Sequence, residues 1–424
     1  MPIGLSYINC MDVVLITLGS RGDINPFIGL GLALKQRGHQ VTIMSYEHYA
    51  DLAIEVGLNF LSCSSSVTYQ KLIRHPDTAH PVRIIKLFGT MVIEPMREVY
   101  RLLSTHFDPQ TTVIGAQYPL VVGARLAQEK LGFRMANICL QPSTLFSAIE
   151  PARLAMLPEW FYKLPVGAKK KIQSMILYFI NSQLNSPLNQ FRQELSLPKI
   201  KHIYQMWLPS PELMIGLFPE WFAPIPADWP AQIKLTGFIN YSGKTEPLSA
   251  TLLGFLEAGK PPLVFTCGTY MTKGNDFFST SIRVAAELGE RALLLTPYPE
   301  QLPRTLPQTI LHVDYAPFDL LLPKISALIH HGGIGTLAQA IAHHVPQLIV
   351  PSTADQFDNA YRLEKLGCST TLLPNHYQQA QVVAKIKFLL NHTQQVSDQK
   401  YPIDFISALN ATCQYFESLA SKAE

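Results

Sequence analysis

Charge is scarce in this chain: 15% of the 424 residues are Asp, Glu, Lys or Arg, and the 34 basic side chains nearly balance the 31 acidic ones. A net charge of +3 argues against nucleic acid as a partner, because such binding rests on neutralising many phosphates. No apolar run reaches the ~18 residues that a spanning helix needs. The six cysteines, at 10, 63, 139, 267, 368 and 413, are widely scattered without CxxC or Cys/His spacing. That pattern excludes a zinc ribbon or a disulfide scaffold and predicts reduced thiols, hence a cytoplasmic chain. Neither a tandem repeat nor a low-complexity tract occurs, and no Asp-x-Asp pair is present to hold a divalent ion. The first ten residues, MPIGLSYINC, lack the charged start and apolar core of a signal peptide and read as an extension before Met11.

What is abundant is apolar: 47% of the chain, enough for two or three cores. Asp12 to Leu18, DVVLITL, has the β-branched, unbroken character of a buried parallel strand. It runs into Gly19-Ser20-Arg21-Gly22-Asp23, with Pro26 marking the expected start of a helix through Phe27, Leu30 and Leu34. That helix stops at Gly38, and Val41 to Met44 give the next strand. Val82, Ile85, Phe88, Val92, Met96, Val99 and Leu103 recur at one helical period. Val113 to Gly115 and Met135 to Ile138 read as strands flanking a helix over Val121 to Leu131. From Leu154 to Phe222 the pattern turns irregular, apart from Lys169-Lys170-Lys171 followed by Ile172, Met175, Ile176, Phe179 and Ile180 on one helical face. A basic amphipathic helix of this kind suits either its own domain's core or a peripheral membrane contact. Lys234 to Phe238 reads as a last strand and Ile239 to Pro247 as a polar linker, after which Pro262 to Phe265, Ala292 to Thr296 and Ile310 to Val313 restart the strands. The alternation predicts an α/β fold in two units, 1–238 and 239–396.

The densest chemistry lies in Ile325 to Gln356, ISALIHHGGIGTLAQAIAHHVPQLIVPSTADQ. An apolar strand ends in two histidines, a glycine turn follows, then a helix expected to open at Thr336 and Leu337, then a strand stopping at Pro351 ahead of Asp355 and Gln356. Gly332, Gly333 and Gly335 leave the turn without β-carbons, so backbone N–H groups can approach a ligand. The helix N-terminus behind them favours a phosphate, and His331 can add a donor. Gly333 to Ala338 also fits the dinucleotide pattern G-x-G-x-x-A, so the motif alone leaves NAD open. The 69 residues after Asp355 are too few for the second half of a dinucleotide domain.

Taken together, Gly19 to Asp23 with Pro26, Gly268-Thr269, Tyr315-Ala316-Pro317-Phe318, His330 to Thr336, and Pro351 with Asp355-Gln356 and Asn359 resemble the GT-B glycosyltransferases of the UDP-glycosyltransferase superfamily (family 1 type), which includes sterol and macrolide enzymes. Gln141 to Leu145, Leu217 to Pro224 and Asp228-Trp229-Pro230 look most like the rhamnosyltransferases of rhamnolipid synthesis. The resemblance implies two facing Rossmann-like domains with parallel sheets and a cleft between them, the acceptor on the first and the nucleotide sugar on the second, with 397–424 a helix packing back on the first domain. It implies Asp23 as the catalytic base, where other members carry histidine. Ser20, Gly268, Thr269, Tyr315, Ala316, Pro317, His331, Gly332, Gly333, Gly335, Thr336 and Gln339 are implied in nucleotide and diphosphate binding, and Asp355 and Gln356 in sugar binding. Gln339 stands where plant members have a glutamate for the ribose, and Gln117 offers no counterpart to the aspartate that supports their histidine. The activity implied is an inverting, metal-independent hexosyltransferase, moving rhamnose or glucose from a dTDP- or UDP-sugar to a small apolar acceptor, with no cofactor, in the cytoplasm or at the inner membrane face. A non-catalytic nucleotide-sugar-binding partner, a sugar-nucleotide epimerase and an NAD(P) oxidoreductase are the competing readings.

Overall fold

A computed structural model describes residues 10–73, 84–241, 243, 247–268, 274–353, 355–392 and 401–421. Among the described residues, thirteen strands form two sheets. The first holds β1 (Asp12–Ile16), β2 (Gln40–Tyr46), β3 (Asn59–Ser64), β4 (Thr112–Gln117), β5 (Arg134–Cys139), β6 (Leu213–Gly216) and β7 (Ile233–Leu235), in the order β3-β2-β1-β4-β5-β6-β7. The second holds β8 (Leu263–Thr266), β9 (Ala292–Leu295), β10 (Ile310–Val313), β11 (Ala327–His330), β12 (Gln347–Ile349) and β13 (Ser369–Thr371), in the order β10-β9-β8-β11-β12-β13. Every pairing is parallel. Helices cover both faces, which is why β1 and β4 are buried nearly end to end and read as unbroken apolar runs.

Strand order reverses once in each sheet, between β1 and β4 and between β8 and β11. At such a switch point the loops leave in opposite directions and open a crevice at the carboxyl ends of the strands. In register, Ile16 pairs with Ala116 and His330 with Thr266, so Gly19 to Asp23 lies beside Gln117 and His331 beside Gly268.

The last helix, Phe405–Ser421, packs back on the first sheet. Phe416 is fully buried in that core, a burial worth roughly 3 kcal/mol. Gly115 on β4 makes room for it, since a β-carbon there would sit 2.6 Å from the Phe416 ring. Arg37 adds an ion pair to Glu417 at 3.1 Å, and Arg134 bonds the Ala420 carbonyl.

Four local expectations are corrected. The first helix, Arg21–Gln36, begins directly after Ser20, so Pro26 sits inside it and not at its start. From Ile85 on, the apolar period through Leu103 belongs to two helices, Ile84–Ile93 and Met96–His106, parted at Pro95, which cannot continue the first one's hydrogen bonds, while Val82 lies outside the described residues. The supposedly irregular middle holds a 29-residue helix, Val166–Glu194, anchored by buried Arg192, whose two terminal nitrogens meet Glu129 at 2.6 and 2.9 Å. The strand expected over Lys234 to Phe238 ends at Leu235. The linker residues 242 and 244–246 lie outside the described set.

Candidate active site at the facing strand ends

Asp23 is the third residue of the first helix, and its place follows from local chemistry. Ser20 precedes the helix with extended backbone (φ −85°, ψ 178°), and its own N–H and hydroxyl donate to Asp23 Oδ2 at 2.7 and 2.9 Å. This reciprocal capping arrangement fixes where the helix begins. Gly19 has φ +126°, and a β-carbon there would lie 2.5 Å from the same carboxylate oxygen. The other oxygen, Oδ1, accepts from Gln117 Nε2 at 2.9 Å. Gln117 is held in turn by β1: its Oε1 accepts from the Thr17 hydroxyl and the Leu18 N–H, both at 2.8 Å. With the carbonyl end committed, only the amino end can face Asp23. The carboxyl pKa is raised by burial, against the lowering pull of the Ser20 and Gln117 bonds. Oδ1 keeps a lone pair for an incoming hydroxyl.

On the opposite sheet, His331 follows β11 and stands between two glycines. A β-carbon on Gly268, where φ is +81°, would come within 2.6 Å of the imidazole, and one on Gly333 within 2.6 Å of its Nε2. Burial pushes the His331 pKa down to about 4, leaving the ring neutral, and its Nδ1 is buried without a hydrogen-bond partner. His330 serves the fold instead. It meets Gln347 Oε1 at 3.0 Å through Nε2 and accepts the Gly332 N–H on Nδ1. The helix beyond starts at Ile334, capped by Gly333, two residues earlier than expected, because Gly335 is itself helical. Its leading N–H groups and dipole therefore open directly onto the glycine turn beside His331.

Beyond β12, Asp355 and Gln356 open the helix Gln356–Lys365. Asn359, one turn on, donates to Asp355 Oδ2 at 2.7 Å and to the Gly332 carbonyl at 3.0 Å, tying this loop to the glycine turn. Gln356 Oε1 accepts from Ser352 N–H, Ser352 hydroxyl and Thr353 N–H at 2.9 to 3.1 Å, which leaves its amino group as the end able to donate elsewhere. Asp355 has its pKa pushed up to about 7, first by burial and then by the charge on Asp23. Arg153 N–H to Asp358 at 2.9 Å and the Arg362 guanidinium to the Phe222 carbonyl at 3.4 Å hold the domains together nearby.

The structure thus gathers Ser20 and Asp23 at one switch point, Gly268, His331, Gly332, Gly333, Gly335 and Thr336 at the other, with Asp355 and Gln356 one strand over. Thr269 lies outside the described residues. Tyr315 is exposed and Pro317 caps a short helical turn, but the Ala316 side chain packs into the core with Leu293 and Leu321, so only its backbone is available to a ligand. The Gln339 side chain bonds back to the Gly335 carbonyl at 3.3 Å. No aspartate lies beside Gln117 in the sequence, and Gln117 itself holds Asp23, a role that sequence reasoning missed. Its sequence signal is a polar side chain closing a buried strand, next to the strand that leads into the helix of Asp23.

Two parallel-sheet, Rossmann-like domains with loops converging on one cleft define the GT-B class of fold. The structure of a calicheamicin glycosyltransferase superposes over 98% of this chain and 99% of its own, with a TM-score of 0.70 at 17% identity. A glycosyltransferase solved with dTDP matches 97% of this chain and 100% of its own, with a TM-score of 0.66 at 16% identity. Residues 13–124 match the glycosyltransferase family 28 N-terminal domain, and residues 292–401 the C-terminal domain of erythromycin biosynthesis protein CIII-like proteins. Over 86% of its length the chain is 28% identical to the O-mycaminosyltylonolide 6-deoxyallosyltransferase of Streptomyces fradiae, covering 86% of that protein. It is 24% identical to the sterol 3-beta-glucosyltransferase of Candida albicans, of which it spans 24%. The chain has the GT-B fold and is a hexosyltransferase, similar over most of its length to glycosyltransferases of the family 1 type.

Proposed function

We propose that the cleft carries out an inverting, metal-independent transfer of a hexose or deoxyhexose, rhamnose or glucose, from a dTDP- or UDP-sugar to a hydroxyl of an apolar, lipid-like or natural-product acceptor. The observation that carries this reading is the pair of strand-order reversals, which place Ser20 and Asp23 at one switch point and the His331 glycine turn, tied through Asn359 to the Asp355-Gln356 loop, at the other. The acceptor hydroxyl gives its proton to Asp23 Oδ1 as its oxygen attacks the anomeric carbon. The bond from that carbon to the diphosphate oxygen breaks on the opposite side. Burial makes Asp23 a stronger base than an ordinary carboxylate, which suits removal of a proton from an alcohol. The leaving diphosphate gathers charge, and the N–H groups opening the helix Ile334–Ala342, with a neutral His331 as a further donor, meet that charge without reorganising. Asp355 and the amino group of Gln356 take the sugar hydroxyls, while Tyr315, the Ala316 backbone and Pro317 border the base.

The test is transfer by the purified protein, with the donor chosen as the dTDP- or UDP-sugar that most raises its melting midpoint. Asp23→Asn should keep donor binding and lose about 100-fold or more of the transfer rate. His331→Ala should lose both donor affinity and rate. Full transferase rate in both variants would refute the proposal, and donor binding without turnover on any acceptor would leave a nucleotide-sugar-binding partner.

A further inference from the structure

The long helix Val166–Glu194 buries Gln173, Leu177, Ile180, Leu184 and Leu188 against the first domain. Lys169 lies with that buried set, and Ile172 and Ile176 are half-buried, so the apolar stripe legible in the sequence divides between two faces. What remains outside is unusual for a helix with a dry side already satisfied. Met175, Tyr178 and Phe179 are 61%, 70% and 60% exposed, at the i, i+3, i+4 spacing that places them on one strip. Lys171 continues the strip one turn earlier and Lys170 flanks it, both exposed. The turn Ile203–Trp207 docks on the same helix through Asn181 and Gln205 at 3.0 Å and adds Met206, 74% exposed. From Trp160 to Gln193 the chain has no acidic residue, and among the described residues neither Lys170 nor Lys171 has an ion-pair partner.

We propose that this strip is a docking surface for an anionic lipid bilayer, Met175, Tyr178, Phe179 and Met206 entering the headgroup and upper acyl region while Lys170 and Lys171 meet lipid phosphates. A tyrosine and a phenylalanine beside methionines and unpaired lysines form a surface apolar at its centre and cationic at its edge, and the interfacial zone of a bilayer offers the matching order. A second copy of this chain is the poorer occupant: a two-fold contact would set these lysines against their own equivalents, with no carboxylate on the strip to relieve them. No helix among the described residues is long and apolar enough to cross a membrane, so the contact is one of lying on the surface. The inference does not depend on the transfer reaction, and its test requires none.

The full chain is sedimented with phosphatidylcholine vesicles, with and without phosphatidylglycerol. Binding is expected with the anionic vesicles and should weaken as salt is raised. Lys170→Glu with Lys171→Glu should weaken it roughly 30-fold or more, since each cation near such a surface contributes several-fold. Tyr178→Ser with Phe179→Ser should also lose it, while melting at the wild-type temperature because both side chains are exposed. Failure of the wild type to bind anionic vesicles, or binding as tight as the wild type's by both double variants, would overturn the proposal. So would a change from dimer to monomer in the Tyr178/Phe179 variant, measured by sedimentation velocity, because it would assign the strip to a second copy.

Discussion

At the scale of single residues the most informative side chain is Gln117, whose amide is oriented from behind. Thr17 and Leu18 occupy its oxygen, so its nitrogen must donate to Asp23, and that donation offsets part of the penalty that burial places on the charged carboxylate. Gln117→Glu keeps the acceptor for Thr17 and Leu18 but sets a carboxyl where the donor was. Two carboxyls sharing one position cannot both ionise readily, so the Asp23 pKa should rise further. The acid limb of the kcat/KM profile should then move up by roughly one pH unit or more, with kcat about 10- to 100-fold lower, the worth of a hydrogen bond to a charged group. The KM for the nucleotide sugar should hardly change. A pH–rate profile coincident with that of the wild type would show that Gln117 does not position Asp23.

At the scale of elements, the two switch points are built alike: a strand ends, a glycine with positive φ turns the chain, and a polar side chain is trapped against the neighbouring strand end. The glycines differ in what they do. At Gly268 an alanine would adopt φ +81° at a cost of about 1–2 kcal/mol and drive its β-carbon into the His331 ring. At Gly335 a β-carbon meets nothing within 4 Å and the residue is helical. Gly268→Ala should therefore melt lower and lose donor affinity, whereas Gly335→Ala should melt higher, by up to ~1 kcal/mol of helix preference. Thermal melting with and without the nucleotide sugar separates the two, and equal melting points would contradict this division of roles. The same contrast explains what was legible in the sequence. Parallel strands announce themselves because burial on both faces leaves DVVLITL without a polar break, and strand-end motifs such as His330 to Thr336 are contiguous. The Asp23–Gln117 bond is not contiguous: its partners lie 94 positions apart, and only the β1–β4 register brings them together. Only the stretch from Lys169 to Ile180 of the long helix is legible, and its full extent is hidden because its buried face alternates apolar residues with Gln173, Asn181 and Asn189, which the first domain satisfies through contacts the sequence does not display.

At the scale of the molecule, burying a carboxyl in the cleft has an electrostatic cost, and Asp355 records it. Its pKa stands at about 7 in the folded chain against 3.8 for the free side chain. Between those values the folded chain binds a proton that the unfolded chain has released, so stability falls as pH rises through this window and the whole penalty is present above about pH 7. His330 and His331 act in the opposite sense. Their folded values of about 3 and about 4 lie below the usual 6.5, so stability falls as pH drops from 6.5 through those values, where the unfolded chain takes up protons that the folded chain refuses. The fold is thus pressed from the alkaline side by a buried carboxyl and from the acid side by buried imidazoles. Asp355→Asn removes only the first of these, and its amide oxygen can still accept from Asn359. The variant is expected to melt above the wild type at about pH 8, by an amount on the order of a few kcal/mol, and to approach the wild type as the pH falls to about 4, where the folded chain holds the Asp355 proton and the unfolded chain is taking one up. Melting curves at several pH values read the difference directly. A gap between variant and wild type that stayed constant across that range would mean that Asp355 does not have the buried setting that raises its pKa.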